Sequence, residues 1–568
     1  MTDDTAQLLL YVAAIVALTP LMGRYIYRVY AGEPTFLTPI VGPLERAILR
    51  VGGIEPEAGQ HWTRYAFSVI ALNLVATLVF YLILRLQHVL PLNPRGFASV
   101  EPGLAFNTAI SFITSTNWQA YAGESTLSYF SQMTGCTVNN FISTASAMGV
   151  AVAVMRGLTT SQAKTLGNFH TDFVRTNLYI LLPISLVVAV FLVFEGIPQQ
   201  LGDYVTVTTV EGSEQVIAQG PVASQVAIKM LGTNGGGFFN ANGAHPYENP
   251  TPLTNFVQAI LILLIPAALT YTFGTMAGDV RQGWALFAAM GIVFALGLVV
   301  VYSAEGWGNA LLANLPIDQT SGNMEGQEAR FGTASSALWA VAATATATGA
   351  TNSMLSSYTP IGGLVPLMNV QLSEVIFGGA GSGFYNLIFY IVLAVFLAGL
   401  MVGRSPVYLG KKIEVREIKL TVIALLIVPT GMLLLPAIAL MIPGAVAAVH
   451  HNGPHGLSEL LYAYASATAA NGSAFASFDG SVPFHLTAQP IAMLAGRFAF
   501  IIAGLAIAGS LGAKRTAVVS VGAVPTHTPL FVVLMVSVIF IFGSMTFFPA
   551  VALGPLAEHF EMLAGKTF

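Results

Sequence analysis

The chain has 568 residues, of which 55% are hydrophobic and only 8% charged, with a formal net charge of −4. A soluble globular protein carries about 25% charged residues, so the composition argues against a large soluble enzyme, a disordered chain and a secreted disulfide scaffold, and for a polytopic membrane protein. The small negative charge speaks against nucleic-acid binding, and Cys136, the single cysteine, rules out an internal disulfide or a cysteine-based metal cluster.

Residues 1–7 carry Asp3 and Asp4 and no base, so the apolar stretch behind them reads as a retained membrane helix rather than a secretory signal. A span needs about 20 mostly apolar residues. Ten stretches qualify: 8–27, 67–86, 130–155, 178–194, 256–273, 284–302, 387–402, 420–443, 491–511 and 530–548. Short basic loops alternate with long, polar, glycine-rich ones. With the N-terminus outside, 16 of the 22 Lys and Arg residues fall on the cytoplasmic side. That bias sets topology, so both termini are expected to face outward from the bilayer.

The long loops share a pattern: a weakly apolar stretch, a short run of small polar residues, then a new span. The runs are Thr116-Asn117-Trp118-Gln119, Thr233-Asn234-Gly235-Gly236, Ala347-Thr348-Gly349-Ala350 and Ala470-Asn471-Gly472-Ser473. Aligning Asn117, Asn234, Thr348 and Asn471 gives spacings of 117, 114 and 123 residues, a near-constant period that marks an internal repeat. The expected fold is all-α, with ten transmembrane helices and four pseudo-repeats of helix, pore loop and helix around one pore. Residues 1–30 form an extra helix, 62–160, 170–278, 281–404 and 417–513 the repeats, and 526–568 a closing helix. The alternative is that the runs are ordinary surface turns.

Non-helical backbone at membrane depth is tolerated only where it is buried or lines a watery cavity. Four such turns on one axis suit a dehydrated monovalent cation, which takes oxygens of moderate strength from carbonyls and threonine hydroxyls. Glycine opens the backbone angles this needs; Gly235, Gly349 and Gly472 share one aligned position, which Trp118 fills in the first run. The runs contain no carboxylate, which disfavours divalent cations. The expected filter residues are Thr116, Asn117, Gln119, Thr233, Asn234, Gly235, Thr348, Gly349, Asn471 and Gly472.

Several longer motifs carry a family resemblance. Asn107-Thr108-Ala109, Thr116-Asn117-Trp118-Gln119, the stretch 232–242, His245-Pro246, Glu248-Asn249-Pro250 and 471–475 resemble the potassium-binding A subunit of bacterial Kdp potassium-importing ATPases, as do Gly403-Arg404 and 408–412. The resemblance runs over essentially the whole chain. It implies a fold related to potassium channels and a location in the bacterial inner membrane. It implies a non-catalytic, potassium-selective translocation subunit, with potassium as substrate and no cofactor. Its implied partners are a P-type ATPase B subunit, a C subunit and a small F subunit, and its implied filter roles fall on Gln119, Gly235, Gly349 and Gly472. A stand-alone channel or symporter of the Trk, Ktr and HKT superfamily is the alternative. A membrane enzyme using outer-loop His and Glu has no supporting spacing.

The third unit is long. From the aligned position to the end of the inner helix it has 55 residues, against 38, 43 and 40 in the others. The cluster Gly378, Gly379, Gly381 and Gly383 is expected to break an inner helix over about 364–402. Broken helices lining a cavity commonly carry transport function. Glu374 just before the break and Arg497 in the fourth inner helix are expected to pair below the filter, with the glycine loop as gate.

Other motifs are set aside. Gly565-Lys566-Thr567 lacks the upstream glycine and following helix of a phosphate loop. No strand–helix–strand unit surrounds the stretch 378–383, and Asp-Lys-Thr-Gly does not occur. His450, His451 and His455 are expected to be solvated in an outer loop, and 204–210 with 215–218 to form a hairpin. Arg404, Lys411 and Lys412 read as a cytoplasmic anchor, with partner docking implied by the resemblance.

Overall fold

The computed structural model describes residues 2–313, 315–403, 405–516 and 525–566. Among them, ten helices are long and apolar enough to cross a membrane: Asp4–Ala31, Trp62–Leu86, Ser131–Thr159, Phe169–Phe194, Pro252–Met276, Val280–Leu312, Ser382–Met401, Val415–Leu440, Pro483–Ala513 and Pro529–Leu563. Each overlaps one span read from the sequence. The fourth starts well before residue 178, because the polar turn with Asp172 continues the helix. Arg156 Nη1 and Nη2 reach both Asp172 oxygens at 2.6 and 2.8 Å, so the charge is matched inside the fold.

Burial sorts the spans into two rings. Ser131–Thr159, Pro252–Met276, Ser382–Met401 and Pro483–Ala513 have 67–83% of their most apolar stretch buried, and the other six only 22–44%. The peripheral helices show leucine and valine outward, as Leu74, Val75 and Leu78 do, which is stable only against lipid. Four shorter helices, Pro102–Ile113, Val222–Leu231, Gly332–Ala345 and Gly453–Thr468, each precede one inner helix in the chain. From Thr333 to Ala345 every residue is buried, the mark of a helix enclosed by protein on all sides.

The inner helix of the third unit is interrupted. Pro360–Gln371 ends, and ten residues intervene before Ser382–Val402 begins. In between, Ser373, Glu374, Phe377, Gly378 and Gly381 take positive φ of 56° to 100°, where a right-handed helix cannot propagate. The break is thus wider than expected: Glu374 lies inside it, and Gly383 in the first turn of the following helix.

Two hairpins and a further helix also bear on the site. Val205–Thr208 pairs with Glu214–Ile217, Val205 opposite Ile217, close to the expected positions. Val407–Tyr408 pairs with Lys411–Lys412, and this hairpin decides where the basic residues point, since successive strand side chains alternate. Lys411 is buried and donates to the Gly157 carbonyl (2.8 Å) and to that of Thr160, capping the first inner helix. Lys412 is exposed, and Arg404 lies outside the described residues. Helix Thr38–Val51, not evident in the sequence, leaves Ile40, Leu44 and Ile48 exposed at four-residue steps and is held through Glu45, which accepts from Arg175 at 2.8 Å and Tyr179 at 2.7 Å.

Candidate ion-selective site

The four short helices end in equivalent ways, and those ends set the register of the turns. The residues capping them are Thr114, Gly232, Thr346 and Ala469. Two positions on, the amide of Thr116 donates to the Ser111 carbonyl, that of Asn234 to Lys229 and that of Asn471 to Ser466, at 2.9–3.0 Å. Thr346 repeats the side-chain bonds of Thr114: each hydroxyl bonds the carbonyl four residues back and the threonine two residues on, Thr348 or Thr116. Thr116, Asn234, Thr348 and Asn471 are therefore equivalent. So are Asn117, Gly235, Gly349 and Gly472.

This corrects the sequence alignment by one residue in the first unit. Asn117, not Trp118, occupies the glycine position, and it does so with φ at 51°, beside 80° for Gly235 and 89° for Gly472. Asparagine is among the few non-glycine residues that visit the left-handed region routinely.

The turns close into a ring. Asn117 Nδ2 donates to the Gly235 carbonyl at 3.0 Å, joining the first turn to the second. A Cβ on Gly235 would lie 2.8 Å from Ala350 N, and one on Gly349 2.6 Å from the Asn471 carbonyl oxygen. One on Gly472 would lie 3.2 Å from the Asn117 carbonyl carbon, which returns the circuit to the first turn. The side-chain amides act as braces. Asn234 Nδ2 donates to Ser143 (3.1 Å), and Asn471 Nδ2 to the Ala343 and Thr346 carbonyls (2.9 and 2.6 Å). Gln119 exchanges two 2.9 Å bonds with the backbone of Gly237. Among the described residues, no donor takes the carbonyls of Ser115, Thr233, Ala347 and Ala470, or those of Thr116, Asn234, Thr348 and Asn471. These eight oxygens remain free to bind a cation.

The broken segment lies directly against this ring. Ala380 N donates to Thr233 Oγ1 at 2.7 Å and Gly378 N to the Ala345 carbonyl at 3.3 Å. A Cβ on Gly379 would sit 2.9 Å from that of Ala347, and one on Gly381 2.6 Å from Met148 N of the first inner helix. Glu374 and Arg497 line one small cavity with Ser382, Tyr385 and Ala470, but the expected salt bridge is not formed. Arg497 Nη2 instead donates to Ser115 Oγ at 3.1 Å, and the left-handed loop turns Glu374 back to accept from Gly379 N at 3.4 Å.

On the other side the ring opens into a wide vestibule whose walls include Gln119, Glu124, Glu328, His450 and Asp479. The Ser481 side chain, hydrogen-bonded to Asp479, holds that carboxyl below its usual range, whereas burial pushes Glu124 up. A mouth carrying fixed carboxylates concentrates cations.

Residues 9–560, which include all four turns, match the family model KdpA, potassium-transporting ATPase A subunit. The chain belongs to the KdpA family. Relatives named potassium-transporting ATPase potassium-binding subunit include those of Rhodospirillum centenum, 55% identical over 100% of this chain and 99% of theirs, and Mesorhizobium japonicum, 53% identical over 99% of each. That of Rhizobium rhizogenes is 51% identical over 99% of each. The potassium transporter TrkH from Vibrio parahaemolyticus is similar in structure at a TM-score of 0.49 and 14% identity, covering 74% of this chain and 83% of TrkH.

One feature of this KdpA-family chain escapes a reading by motif. Lys229 and Glu248 form an ion pair with both side chains fully buried. Lys229 Nζ also donates to the Gly236 carbonyl at 2.9 Å, and Glu248 Oε1 accepts from Phe239 N at 2.9 Å. The pair thus clamps the backbone just behind the second turn. Its signal in the sequence is a lysine in an otherwise uncharged pore helix, which demands a buried counter-charge.

Proposed function

We propose that this chain is the potassium-selective binding and translocation subunit of an ATP-driven importer in the bacterial inner membrane. A separate P-type ATPase subunit supplies the energy, accompanied by C and small F subunits. The observation that carries this reading is the closed ring of four turns with unclaimed carbonyls and no carboxylate, in a chain whose relatives are named for potassium binding and for a potassium-transporting ATPase. Carbonyl dipoles replace the hydration shell of a monovalent ion. The filter residues are the ten expected from the sequence, with Asn117 in the glycine layer and Gln119 bracing the first turn to the second. Four repeats build the pore, and their division at 62–160, 170–278, 281–404 and 417–513 is supported by the alternation of peripheral and buried spans. The basic loops face the cytoplasm and both termini face outward, which the excess of bases on one side supports.

The 568 residues hold neither a phosphate loop nor Asp-Lys-Thr-Gly. The purified chain should therefore hydrolyse no ATP, and potassium-stimulated hydrolysis should appear only when an ATPase subunit co-purifies. Robust hydrolysis by the contaminant-free chain would overturn the division of labour. Lys412 and Arg404 are the docking residues for that partner, while Lys411 serves the fold.

The segment with Glu374, Gly378, Gly379, Gly381 and Gly383, together with Arg497, is the gate. It blocks the straight path beyond the ring, so potassium leaves sideways toward the ATPase. Removing part of 378–383 should produce potassium current without ATP in planar bilayers. A deletion that folds, assembles and stays electrically silent would show that the barrier lies elsewhere.

A further inference from the structure

The outer end of the fourth pore helix carries a donor cluster that potassium transport does not use. His455 and Glu459 are one turn apart on helix Gly453–Thr468, and His451 comes from the turn before it. Each offers one ligand atom, and the three lie within 4.8 Å of one another. The expectation of solvated histidines holds for His450 and His451, which are exposed, and fails at His455, which is buried, as Glu459 is wholly. Glu459 sits among hydrogen-bond donors alone: the His450 amide at 3.2 Å, the Ser477 hydroxyl, and His451 Nδ1 at 2.6 Å. Burying a carboxylate is costly unless its charge is matched, and a cation held beside Glu459 would match it.

Glu558, from the closing helix, bonds His455 Nδ1 at 2.8 Å. A carboxylate there fixes the proton on Nδ1 and leaves the Nε2 lone pair free, the arrangement by which carboxylates orient and strengthen metal-binding imidazoles. Zinc holds nitrogen and oxygen ligands at about 2.0–2.2 Å, which sets them roughly 3.3–3.6 Å apart around a tetrahedral ion, so the widest spacing, up to 4.8 Å, must close and the 2.6 Å between His451 Nδ1 and Glu459 must open. His451, with 42% of its side chain exposed, has the room to move.

We propose that His451, His455 and Glu459 form a binding site for a borderline divalent transition metal such as zinc, with Glu558 positioning His455. The metal takes the place of the proton between His451 Nδ1 and Glu459: a charged His451 gives that proton to solvent and keeps the one on Nε2, and a neutral His451 passes it to Nε2. The site is joined to the ring. The His455 ring stacks on Phe475 (5.8 Å), Phe475 stacks on Tyr462 (4.4 Å), and the Tyr462 hydroxyl is 2.7 Å from that of Ser473, next to Gly472.

The test is zinc binding to the full chain in detergent, stripped with chelator and titrated against a chromophoric zinc indicator. One zinc per chain with micromolar affinity or better is expected. His451→Ala and His455→Ala should each weaken it at least thirtyfold, while His450→Ala, whose imidazole bonds the Ser477 carbonyl instead, should retain it. Glu558→Gln, which keeps all three ligands, should weaken zinc by about tenfold at unchanged stoichiometry and so separates ligand loss from misfolding. Absence of stoichiometric zinc, or the same affinity in the His451 and His455 variants, overturns the site. Unchanged affinity in Glu558→Gln overturns the positioning role.

Discussion

Gly235→Asp is expected to raise the potassium concentration for half-maximal uptake by about a hundredfold, equivalent to ~2.7 kcal/mol, and to loosen discrimination against rubidium. Gly472→Ser should act in the same direction with a smaller effect. Both glycines hold positive φ, and a Cβ on either meets the backbone of the neighbouring turn. The ring therefore cannot accept the side chain without moving carbonyls, and the size and dipoles of the carbonyl site are what tell ions of similar charge apart. Uptake at low potassium in a strain without other importers, with rubidium in parallel, measures both quantities. Unchanged affinity and selectivity in both variants would remove these turns from the filter.

Lys229→Met should cost about 3–5 kcal/mol, the price of a buried charge left unpaired, and is expected to abolish assembled protein in the membrane. Glu248 would be left in a dry site without its lysine, and the Gly236 carbonyl would lose its donor. The double variant Lys229→Met with Glu248→Leu removes both charges and should recover folded, monodisperse protein. It should not recover tight potassium binding, because the clamp on Gly236 and Phe239 is still missing. Size-exclusion yield and uptake affinity together read the two effects apart. A single variant as abundant as the parent would show the pair to be incidental.

The parts of this fold that could be read from sequence are those where one physical signal dominates. Span existence follows from run length alone, so all ten were legible, whereas the start of the helix at Phe169 was not, because Asp172 interrupts the run and its partner Arg156 is remote in the pattern. The four turns were legible through their period. Their register was not fully so: matching Thr116-Asn117 to Thr233-Asn234 aligns letters, while the backbone counts from the helix end at Thr114 and Gly232. The glycine break was visible in composition and in the excess length of its unit. That Glu374 bends back and Arg497 reaches Ser115 depends on left-handed backbone angles, which no residue pattern there announces. Lys411 read as one more cytoplasmic base until the hairpin turned it inward.

All four walls of the ring belong to one polypeptide. In a channel assembled from identical copies, each mutation strikes every quadrant at once, and the pore is either kept or lost. Here a substitution enters a single quadrant while three remain as they were. The ring already exploits that liberty: one quadrant uses asparagine where three use glycine, and the third turn has no left-handed residue at all among Thr346, Ala347, Thr348 and Gly349. Selectivity in such a pore can be adjusted in small steps, one wall at a time, and one wall can be packed against a broken segment without imposing that segment on the others.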